Sequence, residues 1–300
     1  MKSSGRNYIF WIIIVFLCSN MTFPQDGSTR EKIAGIIEHA KGHVGVAIMV
    51  LETHDTLTVN DNYCYPMESV YKFPLALAIL SEIDKGIFSL DQKIHVTKED
   101  LLPNTWSPLR TKYPNGNVDI TLRELLKYTV EESDNNGCDI LFRLIGGPAK
   151  VNQYTKSLGI KGISIAATED EMHKDWAKQY KNCSTPFAFV NLLYKFERDS
   201  ILSTKSKNFL WNIMTQNIFG SNRIPGQLPA GTIVAHKTGT SDVNSKGIAA
   251  ATNDAGIVML PNGRYLAIVV FVSDSPDSES ARNKIISDIA KVAWDAYSTK

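Results

Sequence analysis

An antiparallel sheet flanked by helices from the two ends of the chain, with a helical segment inserted between its strands, is the fold class this sequence predicts: an α/β plus all-α architecture. Three observations predict it. Alternating and β-branched apolar runs lie near both ends, at HVGVAIMVLE and DAGIVMLPNGRYLAIVVFVSD. An amphipathic helical pattern stands outside each of them, and residues 69 to about 215 read as mostly helical. The expected division is an α/β sheet domain of residues 28–66 and 216–300 and a helical domain of residues 67–215, sharing an interface of the kind where active sites form.

The opening stretch, MKSSGRNYIFWIIIVFLCSN, sets Lys2 and Arg6 ahead of an apolar run from Tyr8 to Leu17. Charge order and run length are those of a secretory signal of about residues 1–22, too short for a comfortable membrane span. The protein is therefore expected to be exported to the periplasm. A lipid anchor on Cys18 is the secondary reading, because VFLC lacks the small residue expected before a lipidated cysteine. STREKIAGIIEHAKG then has helical spacing at Ile33, Ile36, Ile37 and Ala40, with Ser28 or Thr29 as a candidate cap and Gly42 as a stop. The strands HVGVAIMVLE and TLTVND follow.

ESVYKFPLALAILSEIDKG reads as a helix apolar nearly all round, the pattern of a buried helix, with Ser69 and Lys72 as polar exceptions one turn apart on one face. Pro74 falls early enough to be tolerated. A buried ammonium needs a partner or sheds its proton readily, and either outcome suits activation of a serine hydroxyl. Alone the spacing is weak, since about one Ser-x-x-Lys is expected by chance in a chain of this size.

Farther along, TWSPL offers Trp106 to line a cleft or to pack, and TLRELLKYTV opens on a capping box at Thr121 and Glu124. EESDNNG holds Ser133-Asp134-Asn135 between two helical segments; a turn or cap would explain it alone. AATEDEMHKDW is an acidic loop. SNRIPGQLPAG offers Arg223 as a cation or a solvated surface arginine. TIVAHKTGTSD is a β-rich run carrying Lys237-Thr238-Gly239, with glycine permitting close approach to the strand or, on the bland reading, an edge strand with a solvated lysine. A Pro-Asn-Gly turn joins the last two strands, and SESARNKIISDIAKVAWDAY closes as an amphipathic helix.

A formal net charge of +1 gives no broad field for nucleic acid or an anionic membrane, so the expected partner is a small molecule bound by a few local cations. Beyond Cys18 the cysteines are Cys64, Cys138 and Cys183, an odd number without metal-ligand spacing. Cys64 and Cys138 are candidates to pair, with buried free thiols the preferred expectation. Of the six histidines His39 and His43 stand four apart, but no cysteine or further histidine clusters with them, and neither metal nor cofactor is expected.

The order Ser-x-x-Lys, Ser-Asp-Asn, Lys-Thr-Gly in one exported chain resembles the class A serine β-lactamases over essentially the whole mature length. The resemblance implies a monomeric hydrolase of β-lactam antibiotics, of cephalosporinase type, working from the cleft between the two domains without metal or cofactor. It implies Ser69 as acylated nucleophile, Lys72 as its proton-handling partner and Ser133 as relay to the leaving nitrogen. It places Lys237 and Thr238 on the substrate carboxylate and Asn135 on the acylamino side chain. Gly239, Thr240, Ser241 and Trp106 line the cleft, Arg223 supplies a second cation, and the backbone N–H groups of Ser69 and Thr240 form an oxyanion hole. Glu169 takes the place of the base that holds the deacylating water, and Met172 the usual leucine position.

The sequence also departs from the family pattern. His173 stands four residues after the base and Asp139 in SDNNGCD, both where asparagine is usual; Ala167 replaces an arginine that would tie the loop near Asn182; and Asp170 replaces a proline. A cis bond before a non-proline residue costs about 2.5–4 kcal/mol, so the loop is expected to take a different path and to admit bulky oxyimino side chains. The alternative readings are a penicillin-binding or sensor protein, which would lack the base and stay acylated, and a silent binding module. Sustained turnover of a chromogenic cephalosporin, a single burst, or nothing separates the three.

Overall fold

The structure, a computed structural model, describes residues 25–299; the expected signal segment and Cys18 lie outside the described residues. Helix α1 (Gln25–Glu38) leads through Gly42 into β1 (His43–Val50), β2 (Thr56–Val59) and β3 (Tyr65–Pro66). A 3₁₀ turn at Glu68–Tyr71 opens the inserted part, which runs through α2 (Lys72–Asp84), β4 (Lys93–Val96), α3 (Pro108–Lys112), β5 (Val118–Thr121), α4 (Leu122–Val130), α5 (Asn135–Ile145) and α6 (Pro148–Ser157). It continues in β6 (Ile163–Ser164), α7 (Glu169–Lys174), β7 (Cys183–Ser184), α8 (Pro186–Arg198) and α9 (Thr204–Thr215). The chain then returns to the sheet with β8 (Val234–Thr240), β9 (Ala249–Met259), β10 (Tyr265–Ser275) and α10 (Glu279–Tyr297).

The main sheet has the order β2-β1-β10-β9-β8, antiparallel throughout. Its inner strands are buried on both faces, which is why they read as nearly unbroken apolar runs. The period of two sorts their side chains: Val44, Val46, Ile48, Leu266, Ile268 and Val270 join α1 and α10 in one core. Ala47, Met49, Ala267, Val269 and Phe271 join the helical part in the other. Strand β8 lies at the sheet edge, so one row of its backbone groups is free of strand partners.

Helix α2 is the axis of the helical part, with every residue from Lys72 to Ser81 buried. Its apolar circumference demands neighbours on all sides, and α4, α5, α6 and α9 supply them. The capping box of Thr121 and Glu124 starts α4 as expected.

Four details differ from the sequence expectations. The inserted part is not all-helical: β4 pairs with β5, and β7 joins β3 and β6. Ser28 and Thr29 lie inside α1 (Gln25–Glu38) rather than capping it. Ser69 sits in the 3₁₀ turn ahead of α2 rather than within that helix. The disulfide joins Cys64 to Cys183, while Cys138 is a buried free thiol donating to Tyr71 Oη. The pairing of β3 with β7 puts Tyr65 opposite Ser184 and so brings those cysteines together, a proximity spacing does not reveal.

Candidate active site

The turn carrying Ser69 is held from three directions. Met67 N donates to Asn182 O (2.8 Å), and Asn253 Nδ2 donates to Pro66 O (2.8 Å) and Met67 O (3.1 Å). Glu68, next to Ser69, has φ of +48°, a left-handed conformation costly for a side chain of its size. Strand β8 presses on this turn at Gly239: a Cβ there would lie 2.4 Å from Met67 O and 3.2 Å from Ser69 N, so only glycine lets strand and turn approach.

Lys72 gathers the rest. With no exposed side-chain surface, its ammonium donates to Ser69 Oγ (3.0 Å), Ser133 O (2.8 Å) and Asn135 Oδ1 (2.5 Å), and Glu169 Oε1 lies 2.9 Å away. The three N–H bonds are thereby used, and Glu169 Oε1 is left in contact with the charge but without a directed hydrogen bond. Ser133 reaches this point through a left-handed backbone (φ +54°), and buried Asp134 fixes the loop by accepting from Gly137 N, Leu109 N and Ser107 Oγ. Burial pushes the Asp134 carboxyl up, against the pull of those donors. Asn135 Nδ2 donates to Thr105 Oγ1 (2.7 Å), a partner the sequence did not suggest.

Glu169 opens α7, whose capping box is formed by Thr168 and Glu171; those donors hold the Glu171 carboxyl below its usual range. The acidic loop is closed, contrary to the expectation that Ala167 leaves its ends untied. Asn182 Oδ1 accepts from Ala166 N (2.7 Å) and Ala167 N (2.9 Å), and its Nδ2 donates to Ala167 O (2.9 Å) and reaches Met172 Sδ. Every described peptide bond is trans. Asp139, seen in the sequence only as a departure, accepts Glu169 N (2.8 Å) on one oxygen and Asp170 N (2.9 Å) on the other. An asparagine would have only one acceptor oxygen for the two donors. Burial, then the Glu169 charge, push Asp139 up to about 7, while the two N–H donors and Lys72 oppose the shift.

Lys237, also without exposed surface, donates to Ser133 Oγ (2.9 Å) and Thr238 O (3.0 Å), and no carboxylate lies within ion-pair distance among the described residues. Burial, then repulsion from Lys72, hold its proton affinity well below the usual lysine range. Thr238 is buried and Thr240 exposed at the strand end; the Ser241 hydroxyl is spent on Asp242 O and Ala251 N, joining β8 to β9.

Arg223 is neither a solvated arginine nor a free cation in the cleft. Only 4% exposed behind β8, it donates to Asn283 Oδ1, Gly239 O and Asn253 O, and touches the cleft residues through Thr240 Oγ1 (2.7 Å). Trp106 is 53% exposed at the mouth, donates to Glu132 O and meets Phe219 edge-on; His173 is exposed on α7. The cleft that Glu68, Trp106, Asn135, Glu169, His173 and Thr240 help to line encloses about 350 Å³.

Ser69, the two buried lysines, the bridging Ser133 and the Glu169 carboxylate thus meet beside the free edge of β8. A family model described as the beta-lactamase enzyme family matches residues 28–297. The chain belongs to the class A β-lactamases. It is 50% identical over 297 residues to Beta-lactamase VEB-1 of Pseudomonas aeruginosa, covering 98% of this chain and 99% of that one. It is 39% identical to Extended-spectrum beta-lactamase PER-1 of the same organism, covering 94% and 92%. Among solved structures, the TLA-1 extended-spectrum β-lactamase matches at TM-score 0.89 and 52% identity over 91% of this chain and 99% of that one. A β-lactamase from Chitinophaga pinensis matches at 0.88 and 53% over 90% and 99%. The protein is an enzyme that hydrolyses β-lactam antibiotics, an activity that confers resistance.

Sequence reasoning missed Asn182, Thr105, Asn253 and the latch role of Asp139. Asparagine and threonine carry no pattern of their own, and only Asp139 stood out, as an acid where an amide was expected.

Proposed function

We propose that this β-lactamase works through an acyl-enzyme on Ser69, and the cage of oxygens around Lys72 Nζ is the observation that carries the reading. Ser69 Oγ attacks the lactam carbonyl and its proton passes into the Lys72–Glu169 pair. The carbonyl oxygen turns to the N–H groups of Ser69 and Thr240, the latter on the free edge of β8. Ser133, bridged between the two lysines, gives its proton to the departing nitrogen and takes back the one that Ser69 had passed to the Lys72–Glu169 pair. Lys237 and Thr238 receive the substrate carboxylate, Arg223 steadies Thr240 from behind, and Asn135 meets the acylamino side chain. Glu169 Oε1, buried and without a hydrogen bond, then holds and deprotonates the water that frees Ser69. A penicillin-binding protein would lack that carboxylate.

The reading extends to an exported, periplasmic monomer with the sheet and helical domains divided near residues 67 and 216, free of metal and cofactor. The names of its relatives support a spectrum that includes oxyimino cephalosporins. Purified protein mixed with a chromogenic cephalosporin should turn over continuously. Ser69→Ala should form no covalent adduct by intact mass; an adduct on that variant would mean another nucleophile. An oxyimino compound hydrolysed thousands of times less efficiently than a simple cephalosporin would remove the broad-spectrum part alone.

A further inference from the structure

Glu68, partly exposed along the cleft but with its Oε1 sealed from solvent, is a carboxyl this mechanism leaves unused. We propose that it is a pH-sensing bystander to the hydrolysis, a carboxyl at the cleft wall that leaves the oxyanion site and Glu169 undisturbed only while it carries its proton. The inference rests on the roles proposed above for Ser69 and Glu169.

Geometry singles Glu68 out. It precedes the nucleophile in a left-handed backbone that costs on the order of 1–3 kcal/mol and persists because the surroundings enforce it. Its Cβ lies 3.1 Å from where a Cβ on Gly239 would stand, in the seam between the Ser69 turn and β8 where the oxyanion donors meet. Its Oε1 is sealed from solvent with no hydrogen bond, as is Oε1 of Glu169, and both side chains line the same cleft. The charged groups acting on it are Glu169 from α7, Lys72 from α2 and Asp242 beyond β8. Lys72 is the one cation of the three, and it is committed to Glu169 and to three hydrogen bonds. Two carboxyls that share a site around one committed cation do not both ionise at neutral pH. Burial, then the Glu169 charge, raise Glu68 to about 8, with Asp242 adding to the rise and Lys72 opposing it.

The consequence is kinetic. The lactam and later the ester carbonyl oxygen gain negative charge in the cleft that Glu68 lines, and an anionic Glu68 opposes both steps; the neutral acid does not. The decisive readout is the pH profile of kcat, because in the substrate complex Lys237 is held by the substrate carboxylate and its own titration drops out. Wild type should lose about tenfold in kcat between pH 7 and pH 9, the loss expected of one ionisation near 8. Glu68→Gln keeps the shape, cannot ionise, and should match wild type at pH 7 while remaining flat to pH 9. The proposal is overturned by an alkaline limb of unchanged position in Glu68→Gln, or by no limb in wild type. Should the variant not fold, glutamate-selective ¹³C-carboxyl NMR of wild type decides: one glutamate titrating near pH 8 is expected, and its absence overturns the proposal. Asp139 does not interfere because aspartates are unlabelled. Glu169→Ala, followed by intact mass, tests the underlying site assignment separately, since the NMR titration does not depend on it.

Discussion

Lys72 and Lys237 are both sealed from solvent and both touch Ser133, yet their surroundings make them different reagents. Lys72 has a carboxylate at 2.9 Å and three oxygen acceptors, so its charge is answered within the protein. Lys237 has one hydroxyl and one carbonyl, and burial works against its charge. An ammonium already paired is suited to passing protons between neighbours. One left short of an anion is suited to receiving the anion of a substrate. Burial alone does not assign a role to a lysine; its nearest acid does.

Removing that acid is the strongest way to break the comparison. Glu169→Ala should acylate but hydrolyse about 10²- to 10⁴-fold more slowly, the usual range for a lost general base, and acyl-enzyme should accumulate by intact mass. Glu171→Ala, which removes only a capping carboxylate, should keep most turnover. If Glu171→Ala trapped the adduct instead, the base would be two residues away.

Lys237→Ala should lower kcat/KM roughly 10- to 100-fold, the worth of about 1.5–3 kcal/mol for a hydrogen bond to a charged group, mostly through KM. Steady-state kinetics with a substrate lacking the carboxylate should show a much smaller loss. Equal losses on both substrates would assign Lys237 to proton transfer and erase its difference from Lys72.

Asp139→Asn sharpens the comparison more gently, because it loosens the carboxylate that distinguishes Lys72. One of two backbone donors loses its acceptor, and deacylation should slow about tenfold in single-turnover kinetics. The sign of the pH effect is fixed by the raised value of about 7. Its stabilising contribution is complete below the ordinary aspartate range near 4 and is lost as pH rises through 7. The stability of wild type relative to Asp139→Asn should therefore fall by about 1.4 kcal/mol per pH unit inside that window in urea titrations. A pH-independent difference would show that Asp139 stays ionised throughout.

Cys64→Ser should leave kcat unchanged, since the disulfide touches neither lysine, while lowering stability by about 2–5 kcal/mol in thermal or urea unfolding. An altered kcat would mean that the Lys72 cage depends on the strand pairing beyond its own contacts.

Much of the site was legible because its chemistry is local. Ser69 and Lys72 share a helical turn, Ser133 and Asn135 a single loop, and Lys237 to Gly239 a strand, so type and spacing carried them. Arg223 misled because a sequence shows an arginine's charge and hides its burial. The disulfide misled because Cys183 meets Cys64 across 119 residues through a two-residue strand pair, too short to leave a periodic signal. The acidic loop was read as untied because the missing arginine was visible, whereas its replacement by backbone bonds to Asn182 was not.

The sequence by itself determined the sheet with its flanking helices, the buried helix behind Ser69, and the residues proposed to carry the reaction. Each of these rests on periodicity or on groups within a few residues of one another, where backbone geometry alone sets their relation. Tertiary structure decided which cysteines pair, what closes the base loop, that Arg223 supports β8 from behind, and that Lys72 and Lys237 answer different charges. Those outcomes depend on distances between segments far apart in the chain, and only the packing of α2 and α7 on α5, and of α9 and the Ser69 turn on β8, sets them.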